Sequence, residues 1–291
     1  MKAMKARYLA SYRTNHCSHR RGRTESADAT WGSQHKHQAP NSDITNNKAP
    51  LSDCSTKPSL RTVHPIIIMP TIGLLLGSAR TNGNAAGLTA WLLSLFNQRH
   101  GNNILDPNDP NFFEIVVVDP HTPPHPLGPV TDPIMAALIK DPSHYASPST
   151  KQWSSFITSC AGIIILTPQF NRGYPGELKN ALDHLYWEWR DKPVMLATYG
   201  GHGGDKCAAQ LKSVLEGGLN MKYVCDVNIT LPVEFVRGQQ RVKARDFEDS
   251  PTSADVDLAT SGDIAFLKQY ADSISLALDM LLDAVKNQQT S

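Results

Sequence analysis

Short apolar runs alternate with amphipathic stretches along most of the chain, beginning near residue 66. The runs are aliphatic throughout and lack the polar alternation of a half-exposed strand, which is typical of strands buried inside a parallel sheet. The pattern predicts five such strands, at residues 72–76, 113–119, 161–167, 193–199 and 223–231.

Apolar residues at steps of three and four predict helices between these runs. The predicted helices lie at 85–99, near 134–140, at 151–159, at 178–189 and at 205–216. A last helix has a continuous apolar stripe from Ile264 to Val285, with Asp263 near its start. Such a stripe fits a coiled-coil seam or a helix packed on a sheet, and packing is the expected arrangement for one terminal helix.

Strands separated by helices predict an α/β doubly wound domain over residues 66–290, a parallel sheet with helices on both faces. Ligands of such domains bind at the carboxyl ends of the strands, near the point where the strand order reverses. The loops after the first, third and fourth strands are therefore the candidate site. The polar stretch 237–262 predicts an insertion loop and is a candidate lid.

Residues 1–65 predict a disordered basic extension, because they are polar and show no sustained apolar periodicity. Residues 1–64 hold 11 Lys and Arg against 4 Asp and Glu, whereas the rest of the chain holds 17 against 23. The first 24 residues contain no acid, as in a mitochondrial transit peptide, but their amphipathic face is weak. A solvated tail, a transit peptide and an extension before an alternative start at Met69 all stay open.

The acidic body argues against nucleic acid as a partner, because phosphate binding needs clustered Lys and Arg. The most apolar stretch, 66–76, is too short to span a membrane. Reduced thiols fit a cytoplasmic protein, with the mitochondrion as the alternative if the basic segment is a transit peptide. No CxxC pair occurs, so neither a disulfide framework nor a metal site is expected among Cys17, Cys54, Cys160, Cys207 and Cys225.

The loop after the first strand, residues 77–84 (GSARTNGN), is small, polar and leads into a helix. Converging backbone N–H groups and the helix dipole make such a turn a candidate anion site, and Arg80 can pair with a phosphate. The loop has neither the Walker GK[ST] ending nor the GxGxxG pattern. Taken alone, it is equally well explained as a turn that caps the helix.

The loop after the third strand, residues 167–176 (TPQFNRGYPG), is longer than most strand-to-helix connections and is stiffened by two prolines. It can support a flat aromatic ligand, or it is an ordinary connection. The loop at 199–204 (YGGHGG) has four glycines that allow a close backbone approach. His202 either donates to a ligand or points to solvent, and solvent is favoured for a lone loop histidine. Together the loops predict a site for a mononucleotide with a flat ring.

Three motifs make the sequence similar to the NADPH-dependent FMN reductase family, a flavodoxin-like group that includes quinone, azo-dye and chromate reductases. The motifs are GSAR with Asn84, TPQFN followed by PGELKNALDHL, and TYGGHGG followed by CAAQLKSVLEGGLNM, within about residues 70–235. The resemblance implies a flavodoxin-like five-stranded sheet, FMN as the cofactor, NADPH or NADH as the cosubstrate, and a homodimer or homotetramer.

The resemblance also implies which residues contact FMN, while the flavin N5 carries the chemistry without a catalytic side chain. The phosphate turn supplies Gly77, Ser78, Arg80, Asn82 and Asn84. The isoalloxazine wall comprises Pro168, Gln169, Phe170 and Asn171. The loop that closes over the other edge of the ring supplies Gly200, Gly201, His202 and Gly203.

Two residues depart from the family pattern, which has Glu-Tyr where Gln169-Phe170 stand. The difference removes a charge and a hydroxyl near the ring. We therefore expect FMN binding to survive, with a changed redox potential and acceptor preference.

The resemblance implies a ping-pong cycle in which NAD(P)H gives hydride to the flavin and a quinone, free flavin or similar small acceptor then takes it. The rival hypotheses are a flavodoxin-like electron carrier and a flavin-dependent interaction protein, and the PGELKNALDHL segment favours the reductase. On the helix of that segment, surface charge or a subunit interface is expected for Asp183, His184 and Glu188. The aromatic residues Tyr186, Trp187 and Trp189 fit a subunit interface or a buried face.

Overall fold

A parallel sheet forms the centre of the protein in the computed structural model, which describes residues 7–8, 70–100, 113–244 and 264–289. In the described residues its strands follow the order β1-β3-β2-β4-β5-β6, and all neighbouring strands are parallel. The five predicted strands are confirmed, and their order is that of flavodoxin-like folds. The strands are β1 (Arg7–Tyr8), β2 (Thr71–Leu76), β3 (Glu114–Val118), β4 (Cys160–Pro168), β5 (Pro193–Gly200) and β6 (Lys222–Thr230).

The two-residue strand β1 lies within the segment that the sequence predicts to be disordered. It pairs with Val116 and Val117 of β3. An edge strand such as β3 presents N–H and C=O groups that readily take up another piece of chain. The other residues of 1–65 lie outside the described residues, as do residues 245–262 of the predicted insertion loop.

Helices cover both faces of the sheet. One apolar core lies on the side of α1 and α6, and a second lies on the side of α2, α3 and α4. Strand β4 contributes Ile164 and Leu166 to the first core and Ile163 and Ile165 to the second, because successive strand side chains point to opposite faces. The helices are α1 (Ala85–His100), α2 (Pro148–Ser159), α3 (Gly176–Asp183), α4 (Asp205–Lys212), α5 (Val233–Val236) and α6 (Ala271–Gln289).

The apolar stripe of α6 packs on the sheet, which confirms the expected arrangement. Ile274, Leu278, Leu281 and Val285 are all buried. Gly162 of β4 permits the close approach, since a Cβ there would lie 2.8 Å from Cγ2 of Val285. The residues before α6 form a 3₁₀ helix, Ala265–Tyr270, where the sequence predicts a regular α-helix.

The predicted boundaries are wrong at three helices. Helix α3 ends at Asp183, whereas the sequence predicts a helix to residue 189. Leu185 and Trp189 are buried in the irregular segment beyond α3, so their helical spacing results from burial and not from a helix. Helix α4 ends at Lys212, and a π-helical turn, Ser213–Gly218, follows it directly. The predicted helix near 134–140 is only the 3₁₀ turn Ala136–Leu138.

The described cysteines are core residues. Cys160 and Cys207 are buried, Cys225 is half-buried, and all three are free thiols. Burial raises the pKa of Cys160 and of Cys207 to about 12, and that of Cys225 to about 11. These thiols are therefore protonated at neutral pH. None of the helices in the described ranges is long and apolar enough to cross a membrane.

Candidate functional site

The loops after β2, β4 and β5 lie side by side at the carboxyl edge of the sheet, because these three strands are neighbours. Two backbone hydrogen bonds extend the ladders into the loops. Gly77 N donates to Leu166 O at 2.9 Å, and Gln169 N donates to Tyr199 O at 2.8 Å. The fold thus brings the sequence-predicted residues of all three loops to one edge.

Gly77 lets the first loop start against β4. A Cβ on Gly77 would overlap the side chain of Thr167, which is fully buried at the end of β4. Any larger residue would push the two strand ends apart. The glycine of the GSAR motif therefore has a packing reason in addition to its predicted place in an anion site.

The phosphate turn, residues 77–84, contains a hydrogen bond from its own backbone to a buried side chain. Ser78 is buried and its Oγ accepts a hydrogen bond from Arg80 N at 3.3 Å. Asn82 has φ 55°, a left-handed conformation that asparagine tolerates better than most residues. The turn leads into the 16-residue helix α1, whose N-terminal dipole favours an anion. The arrangement suits a phosphate.

Asn84 has a contact that its sequence context did not indicate. Its Nδ2 donates to Phe235 O at 3.0 Å, and its Oδ1 accepts from Val242 N at 3.0 Å. Both bonds are buried and reach a segment more than 150 residues away in the chain. The side chain of Asn84 is therefore directed to that segment, and its role as a phosphate ligand stays a prediction.

The loop after β4 contains a tight turn from Phe170 to Gly173. The two end residues exchange backbone hydrogen bonds at 2.9 and 2.8 Å. The central residues, Asn171 and Arg172, have φ 50° and 67°, as in a type I′ turn. This turn holds Phe170 at the lip of the site, while Pro168 is buried at the end of β4.

Arg80 and Phe170 join the phosphate turn to this wall. The guanidinium carbon lies 4.3 Å from the centre of the Phe170 ring, a distance at which a cation is attracted to the aromatic face. Behind them, burial raises the pKa of Tyr199 while the charge of Arg80 opposes the change. The tyrosine is therefore a neutral part of the wall.

The glycine loop, residues 200–204, folds back on itself. Gly203 N donates to Gly200 O at 3.2 Å, and Gly203 and Gly204 have φ 83° and 102°, values that favour glycine. A Cβ on Gly200 or Gly201 would meet only ordinary contacts, at 3.5 and 3.6 Å. His202 is exposed at the tip, so this loop leaves room for a ligand against its backbone.

Gln169 links the second and third loops. Its Oε1 accepts hydrogen bonds from Lys206 N and Cys207 N, both at 3.1 Å. These amides belong to the first turn of α4, whose N-cap residue is Gly204 and offers no side-chain cap. Gln169 therefore caps α4 from another loop, which supplies an acceptor for N–H groups that the helix cannot satisfy itself.

A cavity of about 550 Å³ that the sequence pattern did not predict lies beside the phosphate turn. The segment after β3 forms one wall through His125 and Leu127, and the other lining residues include Ala79, Trp153 and Glu177. The ring centre of His125 lies 4.9 Å from that of Trp153, and burial lowers the pKa of His125 to about 4. The only sequence signal was the length of the Pro-rich segment 120–133.

The expectation of a surface or interface role is wrong for His184 and Glu188, which are buried inside the chain. The carboxylate of Glu188 accepts from Ser154 Oγ at 2.5 Å and from Tyr145 Oη at 3.1 Å. The ring of His184 contacts Gly128 O at 3.1 Å. Buried polar groups need such partners, so these residues hold α2 and the segment before it in place.

The model of one protein family matches residues 70–233, a range that includes all three loops. Its description is NADPH-dependent FMN reductase. The chain belongs to this family. The NADPH-dependent FMN reductase family uses FMN and a reduced nicotinamide, and its match to this chain ends just beyond β6.

Two relatives illustrate the sequence similarity. The NAD(P)H-dependent FMN reductase LOT6 of Saccharomyces cerevisiae is 36% identical over 162 residues, 56% of this chain and 81% of that protein. The NAD(P)H-dependent FMN reductase ntnL of Nectria sp. is 32% identical over 165 residues, 56% of this chain and 76% of that protein. The solved flavoenzyme FerB, an NAD(P)H:(acceptor) oxidoreductase of Paracoccus denitrificans, has 18% identity, a TM-score of 0.45, and coverage of 75% of this chain and 98% of its own.

The described residues of this family member fit FMN. The phosphate turn joins a helix N-terminus with a buried serine and an arginine, which suits a phosphate. The glycine loop has open space next to Gly200 and Gly201, where even an added Cβ would make only ordinary van der Waals contacts. Phe170 and the neutral amide of Gln169 stand between these two ends. A phosphate on a flat, uncharged ring system matches this distribution of groups.

Proposed function

We propose that this family member is an NAD(P)H-dependent FMN-containing oxidoreductase that reduces a quinone, free flavin or similar small acceptor in a ping-pong cycle. The observation that carries the proposal is the side-by-side position of the three family motifs at the ends of β2, β4 and β5. When bound, FMN supplies the hydride-transfer chemistry, and the chain supplies binding and orientation.

The proposed roles follow from where each group lies. The N–H groups of Ser78 and Ala79 and the guanidinium of Arg80 hold the phosphate, which is favoured at the N-terminus of α1. The turn that carries Phe170 and Asn171 supports one face of the ring. The backbone of residues 200–203 borders the ring opposite that turn, with His202 exposed at the outer end.

The acceptor is proposed to bind beside the flavin, within reach of the cavity next to Ala79. That cavity, about 550 Å³, falls in the range of small-molecule sites. Its lining is mostly apolar, and lowering of the pKa of His125 to about 4 keeps that side chain neutral at physiological pH. Glu177 adds an acidic group to this lining. A mostly apolar cavity with one acidic residue favours a flat uncharged acceptor such as a quinone over an anionic metal chelate.

Two further features belong to the proposal. A homodimer or homotetramer is supported by exposed apolar residues on the segment between β3 and α2, which include Met135 and Leu138. A cytoplasmic location is supported by the free thiols of Cys160, Cys207 and Cys225.

Steady-state kinetics of the purified FMN-loaded chain test the function. NADH and NADPH are each varied against quinones, free FMN, azo dyes and ferric chelates. A ping-pong enzyme gives parallel double-reciprocal lines, with the highest rates for uncharged flat acceptors. Intersecting lines would reject the ping-pong cycle. If the FMN-loaded chain oxidised neither nicotinamide with any acceptor, the electron carrier would replace the reductase.

A further inference from the structure

A segment that follows β6 crosses the start of α1, next to the phosphate turn. This segment, residues 232–242, is called the strap here. It begins with the short helix α5 and ends at Val242, which is 1% exposed although its neighbours in the sequence are polar. Such deep burial shows that the strap is packed against the body of the domain and is not a loose connection.

Asn84 holds the strap at two places. Its amide nitrogen donates to Phe235 O and its amide oxygen accepts from Val242 N, each at 3.0 Å. Asn84 is also the residue before α1, and its own carbonyl accepts from Leu88 N at 3.0 Å. The same residue therefore starts the helix beside the phosphate turn and holds the strap both at Phe235 and at its last residue, Val242. Removing either partner would leave buried polar groups unsatisfied.

Gly87 lets the strap lie directly on the first turn of α1. A Cβ on Gly87 would overlap the carbonyl group of Val242 and would lie 2.6 Å from Lys243 N. Glycine inside a helix costs roughly 1 kcal/mol relative to alanine. Here the absence of a side chain is required for the backbone of the strap to approach the helix.

The strap also contacts the glycine loop. Leu231, just before the strap, donates its N–H to Gly200 O at 2.9 Å. A Cβ on Gly201 would lie 3.6 Å from Cγ2 of Val236. Val233 and Val236 are 59% and 43% exposed, so α5 presents apolar side chains beside the glycine loop. One segment thus contacts both ends of the proposed FMN site.

We propose that the strap is a part of the cofactor site, with Asn84 as the positioning residue that couples it to the phosphate turn. The inference rests on the proposed function, in which the FMN phosphate occupies that turn. A phosphate that fixes the start of α1 also fixes Asn84, and Asn84 fixes the strap. The coupling is reciprocal, so loosening the strap weakens FMN binding. The strap in turn sets the position of Val233 and Val236, which form an apolar rim for the acceptor.

Three variants of the full chain separate this role from simple stability. Asn84→Asp keeps an acceptor for Val242 N but cannot donate to Phe235 O. Gly87→Ala lifts the strap and leaves Asn84 unchanged. Asn97→Leu, an exposed position on the same helix, is the matched control for a change of asparagine.

Hydrogen exchange of peptides that span residues 232–244 is measured with and without saturating FMN, after FMN affinity has been determined by flavin fluorescence. We expect FMN to slow strap exchange about tenfold or more in the wild-type chain and in Asn97→Leu, within the usual range of coupling between sites. In Asn84→Asp and Gly87→Ala the protection is lost and FMN binds more weakly by a similar factor. With FMN saturating, these two variants raise the acceptor KM more than they lower kcat.

The outcomes are distinct. Wild-type FMN binding with no change in strap exchange would overturn the coupling and leave the proposed function standing. Full FMN protection of the strap in both Asn84→Asp and Gly87→Ala would also overturn it. Absence of FMN binding by the wild-type chain would reject the proposed function, and this inference with it.

Discussion

Gln169 stands where the family pattern has glutamate, and its contacts explain why the exchange is compatible with the site. The hydrogen bonds from Lys206 N and Cys207 N need an acceptor oxygen, which an amide and a carboxylate both provide. The difference that remains is one negative charge at the proposed position of the flavin ring. A change in redox potential is therefore expected from Gln169 without a change in loop structure.

Replacing Gln169 by leucine should lower the free energy of unfolding by roughly 1 kcal/mol, as for loss of a helix cap. Gln169→Glu should keep the wild-type value or exceed it, because a carboxylate is favoured at a helix N-terminus. Urea denaturation gives the values, and Gln98→Leu on the exposed side of α1 is the control. A Gln169→Leu variant as stable as the wild-type chain would show that the cap contributes nothing.

Arg80 should distinguish FMN from riboflavin, which lacks the phosphate. Arg80→Lys keeps the charge but loses the planar donor pair, and lysine and arginine are not equivalent at such sites. We expect on the order of tenfold weaker FMN binding, about 1.4 kcal/mol, with riboflavin affinity unchanged. Fluorescence titration of both flavins gives the comparison. An equal loss for the two would place Arg80 at the ring instead of the phosphate.

Individual contacts were only partly predictable from the sequence. The glycines and small polar residues of the three loops made these loops predictable, because such residues permit the backbone conformations that tight turns require. The partners of Asn84 could not be predicted in this way. Phe235 and Val242 lie more than 150 residues away in the chain, and they bond to Asn84 through backbone groups. A backbone partner leaves no trace in side-chain pattern.

Among whole elements, the strands were predictable and the irregular segments were not. Aliphatic runs such as that of β4 result from burial on both faces, which only a central strand of this fold requires. The end of α3 was not predictable, because Leu185 and Trp189 continue the helical spacing while they are buried in turns. The segment between β3 and α2 has almost no regular secondary structure. Its hydrophobic pattern therefore did not predict the cavity that it lines through His125 and Leu127.

The packing of that segment against α2 should make stability depend on pH through His125. Burial lowers the pKa of His125 to about 4, with His184 adding to the effect and Asp119 opposing it. The unfolded chain then binds the proton more readily than the folded chain does. The contribution to stability is present above about pH 6.5 and is lost progressively as the pH falls towards about 4.

Between about pH 7 and about pH 5 the free energy of unfolding of the wild-type chain should fall because of His125. We expect this fall to be smaller in His125→Gln by roughly 2 kcal/mol. Urea denaturation at the two pH values measures it. His144→Gln, at an exposed position, should leave the pH dependence unchanged. If the wild-type chain and His125→Gln lost stability in parallel, His125 would not be the group responsible.

At the scale of the whole molecule, the described residues carry exposed apolar side chains on the segment between β3 and α2, on α5 and on α6. Met135 and Leu138, 69% and 71% exposed, lie on the segment between β3 and α2. Their neighbours Ile134, Ala136 and Ile139 line a second cavity of about 350 Å³. Leu276 and Met280, 59% and 42% exposed, lie on α6. Exposed apolar patches are typical of protein interfaces. Met135 and Leu138 are more exposed than the apolar residues of α5 and α6, so their segment is the expected subunit contact.

Met135→Glu combined with Leu138→Glu should convert the oligomer to a monomer, because two charges would be buried without partners. Leu276→Glu combined with Met280→Glu should leave the oligomer intact. Sedimentation velocity at several concentrations distinguishes these cases. Dissociation by the α6 pair alone would move the interface to α6, and a monomeric wild-type chain would reject the proposed homo-oligomer.

The proposed function requires that three loops at one edge of the flavodoxin-like sheet bind FMN so that a nicotinamide can reduce it. Anaerobic stopped-flow mixing of the FMN-loaded full chain with NADPH, and separately with NADH, tests this directly. We expect rapid bleaching of the flavin absorbance, and its return when a quinone is mixed in. A chain that binds no FMN, or a bound flavin that neither nicotinamide bleaches, would contradict it.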